Sequence, residues 1–273
     1  MDLSAQLQPY VPYPGGKDDR KKCTNCTVHA GFLSSWHNAR GIVLPHLSAA
    51  RKRYADYDLV LVGHSLGGAV AALAGLEMRL STQLGWKPQV TTFGEPRIGN
   101  AAFVDFLGRV FELDQIHPST NSDDNNNKNK SPDQNLQFRR VTHIDDPVPL
   151  LPMEELGYKM HAGEIYISKR NLPPSVSDIH LCDGDQDPRC IAASEARLPN
   201  EDSKSTHETT PIMDSSACHV CTGPRSSFSG SNAQSVIPSR YRWEILFAHR
   251  DYFYRLGFCV PGGDPSRLFW TDA

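Results

Sequence analysis

Apolar and polar positions are unevenly spaced along this chain, and the unevenness marks its elements. The clearest block is 56–85. Asp56-Tyr57-Asp58 leads into Leu59-Val60-Leu61-Val62, a short unbroken apolar run. Such a run predicts a strand buried on both faces, as in a parallel sheet. Gly63-His64-Ser65-Leu66-Gly67-Gly68 follows, and Ala69 to Leu84 reads as a helix rich in Ala and Leu, ended by Gly85. The small residues Gly67, Gly68, Ala72 and Gly75 predict that this helix lies close on a sheet. Further strands are expected over Val90–Phe93, Leu136–Ile144, Glu164–Ser168 and Val176–Leu181, with a helix over Phe103–Phe111. Upstream, His29 to Tyr54 carries helical spacing, with a kink expected at Pro45. Alternating strands and helices predict an α/β class with a mostly parallel sheet flanked by helices.

Three segments break the pattern. Residues 1–22 are Pro/Gly-rich, then charged, and read as an irregular N-terminal segment. Residues 117–135 hold almost no apolar side chains, so they cannot bury enough surface to offset ordering entropy. They are expected to form a disordered insertion. Residues 194–239, rich in Ser, Thr, Pro and charge, are expected to form a long surface excursion. A folded domain over 23–260 and a tail over 261–273 remain.

Composition narrows the function. Lys and Arg number 28 against 31 Asp and Glu, a net charge of -3, which excludes an electrostatically driven nucleic-acid binder. No apolar run approaches the ~20 residues of a membrane span. Residues 1–20 hold no apolar core of signal-peptide type. Seven cysteines are an odd number.

The chemistry sits in Gly63-His64-Ser65-Leu66-Gly67, a G-x-S-x-G pentapeptide between the predicted strand and helix. A sharp turn there lifts a serine oxygen above the sheet, and glycine on either side leaves space for it. The following helix aims its first amides at the site, making the Leu66 N–H a candidate oxyanion donor. A serine nucleophile needs a base and an orienting carboxylate, in the order Ser, acid, His. Acidic residues and histidines after Ser65 are numerous. Asp145-Asp146 closes a predicted parallel strand and so lies on the same sheet edge as the elbow. His249 opens the final amphipathic segment. A turn aspartate beside Pro147 and a partly buried helix histidine are the ordinary alternatives.

Several ordered blocks resemble the fungal class 3 triacylglycerol lipases, a family that includes feruloyl esterases. They are Cys23-Thr24-Asn25-Cys26, His29 to Trp36, Val62 to Gly68, Phe93 to Asn100, Arg140 to Pro152, Gly157 to Ile167 and Ala248 to Phe253. The resemblance implies an α/β-hydrolase fold, with Ser65 as nucleophile, Asp146 as acid and His249 as base. Asp146 is preferred to Asp145 because the family's acid stands four residues after the Thr of the T-H block, here Thr142. The implied activity is carboxylic-ester hydrolysis through an acyl-enzyme, on acylglycerols or other esters at a lipid–water interface. It implies secretion, and neither cofactor nor metal. A feruloyl-type esterase and a non-catalytic lipid-binding domain are the rival readings. Oligomeric state is not set by the sequence.

The family also carries a segment ahead of the Cys23 block, with early strands, a lid and a Gly-Ser or Gly-Thr that gives a second oxyanion donor. Only 22 residues precede Cys23 here, none reads as Gly-Ser or Gly-Thr after a strand, and Met1-Asp2-Leu3 resembles the stretch just beyond the family's lid, so the chain is expected to be N-terminally incomplete. Cys23 with Cys26, Cys182 with Cys190 and Cys218 with Cys221 are plausible local pairs, leaving Cys259 over. In the family the corresponding cysteine pairs near the N-terminus. A four-thiolate zinc site from the two C-x-x-C pairs is disfavoured, since they lie far beyond ribbon spacing. Asn25-Cys26-Thr27 is a glycosylation sequon that a disulfide at Cys26 would hinder.

Overall fold

The computed structural model describes residues 10–12, 22–81, 86–113, 136–195 and 248–257. The segment 117–135, nearly all of 194–239, the tail, Gly85, Cys218, Cys221 and Cys259 lie outside the described residues.

Seven strands and four helices are described: β1 (Tyr10–Pro12), β2 (Thr27–His29), α1 (Ala30–Arg53), β3 (Val60–His64), α2 (Leu66–Leu80), β4 (Gln89–Phe93), α3 (Ala101–Phe111), β5 (Phe138–His143), β6 (Glu164–Ile167), β7 (Ile179–Leu181) and α4 (Ala192–Glu195). The main sheet has the order β3-β4-β5-β6-β7. β3 through β6 run parallel, and β7 closes the far side antiparallel. The predicted class therefore holds. β1 pairs antiparallel with β2, Tyr10 opposite His29, so the segment 1–22 is not wholly irregular as expected.

The main core lies under one face. Leu73, Leu76 and Met78 of α2, Phe103, Phe106 and Leu107 of α3, and Phe32 and Trp36 of α1 are buried against Val90 and Phe138. α2 approaches the sheet closely at Gly75, where a methyl group would fall 2.5 Å from Val90 Cγ2. The helix begins at Leu66, three residues before the expected Ala69, and ends at Leu80. α1 is tied across to α2 through Glu77, which accepts from Trp36 Nε1 at 2.7 Å and Arg40 Nε at 2.6 Å. α1 runs through Pro45, and Arg51, Lys52 and Arg53 in its last turn complement the helix dipole.

β3 departs from expectation. Val60 is 51% exposed and Val62 66%. The run is apolar enough for two-sided burial. Yet among the described residues β3 is the outermost strand of its sheet, and these two valines lie away from the apolar cover near the strand ends. Apolar composition sets what a strand can bury; its position in the sheet decides what it does bury.

Disulfides close at Cys23–Cys26 and Cys182–Cys190, as the spacing suggested. The first pair is therefore not available as thiolates to a metal. No helix among the described residues is long and apolar enough to cross a membrane.

Candidate active site

Ser65 stands at the junction of β3 and α2 with φ 57° and ψ -131°, a conformation that costs a non-glycine residue about 1–3 kcal/mol. The sheet and helix hold it there. Ser65 N–H donates to Phe93 O at 2.9 Å, extending the β3–β4 ladder by one bond. Ser65 O accepts from Gly68 N at 2.8 Å, starting the helix. Gly63 is required: a Cβ there would sit 2.2 Å from Gly67 O. Gly67 is not required for space, since a Cβ there meets nothing within 4 Å. The expectation that both glycines clear the turn holds for the first alone. Leu66 N–H has no acceptor among the described residues, and it opens a helix whose dipole favours negative charge at this end.

Asp145 and Asp146, indistinguishable by chemistry, part company in space. Asp145 turns outward and meets Arg170 Nη1 at 3.0 Å. Asp146 is buried and accepts four contacts. His249 Nδ1 lies 3.0 Å from Oδ1 and 2.9 Å from Oδ2. Val148 N donates to Oδ1 at 2.9 Å, and Tyr252 Oη to Oδ2 at 2.5 Å. The turn that carries Asp146 is itself clamped. Asp146 N donates to His143 O at 3.0 Å, and His143 Nε2 donates to Lys169 O at 2.9 Å. Arg97, buried, donates through Nη1 to Leu150 O at 2.6 Å and Pro152 O at 3.2 Å, fixing the chain just beyond Asp146. A cleft of about 200 Å³ opens beside Asp146 between Ile144, Pro147, Leu150 and Arg170.

His249 is not on a helix. The chain turns back on itself, Asp251 bridging Arg255, with Leu256 N donating to Arg250 O at 2.9 Å. With Nδ1 on a carboxylate, the imidazole carries its proton there and leaves Nε2 as an acceptor. That Nε2 is buried and has no partner among the described residues. His64, the residue before Ser65, lies against this ring at 4.5 Å between centroids. The structure thus joins Asp146 to His249 directly, and brings His249 against the elbow through His64. The Ser65–His249 hydrogen bond is not formed here.

Gly94 explains how tightly the limbs meet. At φ +57°, a Cβ there would fall 2.5 Å from Tyr252 Oη, 2.8 Å from Asp146 Oδ2 and 2.8 Å from His249 Cε1. Tyr252 and Gly94 escaped the residue-level reading. The available signals were a glycine closing the strand beside the elbow, and a tyrosine three residues after His249. Burial first, then the Asp146 carboxylate, pushes the Tyr252 hydroxyl well above the ordinary tyrosine range, so it remains a donor.

Behind the site lies a second buried polar group. Arg140 Nη2 meets Glu164 Oε2 at 3.0 Å, and Glu164 also accepts from Thr142 and from Ile191 N. Glu95 Oε1 and His161 Nε2 are 2.8 Å apart. Truncating Arg140 or Glu164 would strand the other's buried charge.

Residues 3–156 match the family described as Lipase (class 3). "Lipase A" of Sodiomyces alcalophilus is 47% identical over 97% of this chain and 61% of its own length. "Secreted mono- and diacylglycerol lipase 2" of Gibberella zeae is 48% identical, over 97% of this chain and 60% of its own. Among solved structures, the Lip2 lipase of Yarrowia lipolytica superposes with a TM-score of 0.58 at 29% identity, covering 71% of this chain and 61% of that one. The fold is that of the α/β-hydrolase lipases. The chain spans about three fifths of the length of these relatives. With the family match covering more than half of its residues, the chain belongs to the class 3 lipase family.

Proposed function

We propose that this chain carries a Ser65–Asp146–His249 triad and hydrolyses carboxylic esters of the acylglycerol class. The observation that supports the reading is the His249 ring: Nδ1 on a buried carboxylate, Nε2 buried and without a partner, beside a strained serine. Ser65 Oγ attacks the ester carbonyl as its proton passes to His249 Nε2. Asp146 stabilises the resulting imidazolium, and Leu66 N–H donates to the oxyanion. The intermediate collapses, the alcohol leaves with the His249 proton, and water repeats the sequence on the acyl-enzyme, releasing the acid. The Gibberella relative's name specifies mono- and diacylglycerols, and the same class fits here. Two closed disulfides and relatives named as secreted support an extracellular location.

The test pairs turnover with labelling. The wild type should hydrolyse p-nitrophenyl butyrate and a diacylglycerol, and a fluorophosphonate should phosphonylate Ser65 with loss of fluoride. Ser65→Ala should abolish both. A folded wild type that does neither is a non-catalytic lipid-binding domain. Faster turnover of methyl ferulate than of acylglycerols would move the substrate to feruloyl esters.

A further inference from the structure

We propose that His64 is a positioning residue for the base: its Nε2–H holds the His249 carbonyl and so sets where the His249 imidazole stands. The proposal rests on reading His249 as the base. His64 Nε2 lies 2.6 Å from His249 O, and a carbonyl only accepts, so the proton is on His64 Nε2. The two rings also touch, 4.5 Å apart and inclined by 36°. His64 is thus bound to its neighbour by a hydrogen bond to backbone and by a ring contact.

The placement matters because His249 has few other anchors. Its Nδ1 is held by Asp146, but its Nε2 is held by nothing among the described residues. The Asp146 carboxylate and the close approach of Gly94 locate the ring, not the backbone that carries it. The His64 contact fixes the backbone from which the ring projects. His64 in turn is fixed as a β3 residue, paired in register with Phe93 and adjacent to Ser65. The base is therefore referenced to the same strand that carries the nucleophile. A base displaced by ~1 Å costs about 10²-fold in rate.

The charge state suits the task. Burial, opposed by the bond to the His249 carbonyl and reinforced by the repulsion of a charged His249, lowers the His64 pKa below the ordinary histidine value. His64 is then neutral at neutral pH. It offers one donor without placing a second positive charge beside the imidazolium that forms during turnover.

The experiment compares His64→Phe, which keeps a ring and removes the donor, with His64→Gln, whose amide nitrogen stands the same number of bonds from Cα. On p-nitrophenyl butyrate, His64→Phe should lower kcat about 10²-fold with KM within ~2-fold, and His64→Gln should restore most of the loss. Labelling of Ser65 by fluorophosphonate should slow in parallel. A second readout needs no turnover: the His249 Nδ1–H proton resonance should persist in wild type and His64→Gln and be shifted or lost in His64→Phe. Failure of the ester-hydrolase reading leaves this resonance measurable. Equal behaviour of Phe and Gln variants, in rate or in resonance, overturns the proposal.

Discussion

On the face that carries Leu61, Val90 and Phe138, helices α2 and α3 press onto the strands and exclude water. On the face that carries Val60, Val62, Phe93 and Val141, the apolar cover among the described residues comes from Tyr252 and Phe253, near the strand ends. The first face is a core in the ordinary sense. The second is a thin cluster of Val141, Ile167 and Tyr252, and Tyr252 is also a donor to Asp146. Most of the buried apolar surface thus lies on one face, and Tyr252 with its contacts to Asp146 lies on the other. The same ten residues, 248–257, both cover that second face and supply His249.

The largest expected effect breaks the first face. Phe138→Ala removes a fully buried ring packed edge-on to Phe111. It should cost about 3–5 kcal/mol in denaturant unfolding. A loss under ~1 kcal/mol would show that α3 does not depend on the sheet for its packing. Next comes the junction of the faces. Gly94→Ala pushes a methyl into Tyr252, Asp146 and His249 at once, and at positive φ. Turnover of p-nitrophenyl butyrate should fall at least ~10²-fold, with a smaller loss of stability of about 1–3 kcal/mol. Full activity would mean that the three groups can part without consequence.

Tyr252→Phe separates the two duties of one residue. The ring still covers Val141 and Phe93, while Asp146 Oδ2 loses its hydroxyl donor. Thermal stability should hardly change, and kcat should drop about 10-fold, the worth of one charge-assisted hydrogen bond. Because the Tyr252 hydroxyl titrates well above its ordinary value, the wild-type bond persists as pH rises, and the ratio of wild type to Tyr252→Phe should stay level from pH 7 to about pH 9. A ratio collapsing across that window would assign the effect to ionisation. The smallest effect belongs to the open valines. Val62→Thr should alter stability by no more than about 0.5 kcal/mol. A large loss would mean that a cover lies over β3.

The sequence made some of this legible and hid the rest for physical reasons. The elbow was readable because glycine, a short apolar run and an Ala-rich helix are each local signals. α3 was readable from Phe103, Phe106, Leu107 and Phe111, which share a helix face. The choice between Asp145 and Asp146 could not come from residue type. In space Asp146 faces His249, 103 positions away, while Asp145 faces Arg170. The exposure of Val60 and Val62 was misjudged because burial belongs to the assembled sheet. β1 was missed because three residues ending in proline carry no period; a partner strand makes them a strand.

Phe93 and Gly94 have a consequence for how such a chain can change over time. Phe93 O accepts from Ser65 N–H, and Gly94 N–H donates to Val141 O at 3.1 Å. The end of β4 is therefore a common datum from which both halves of the site are measured. A single residue inserted into β4 would move Ser65 and Asp146 out of step together. Insertions between α3 and β5, or between α4 and Ala248, leave that datum untouched. The chain has its polar stretch 117–135 in the first of these gaps and its Ser/Thr/Pro-rich stretch 194–239 almost wholly in the second. Length can accumulate in those two gaps while the geometry of the site is inherited unaltered.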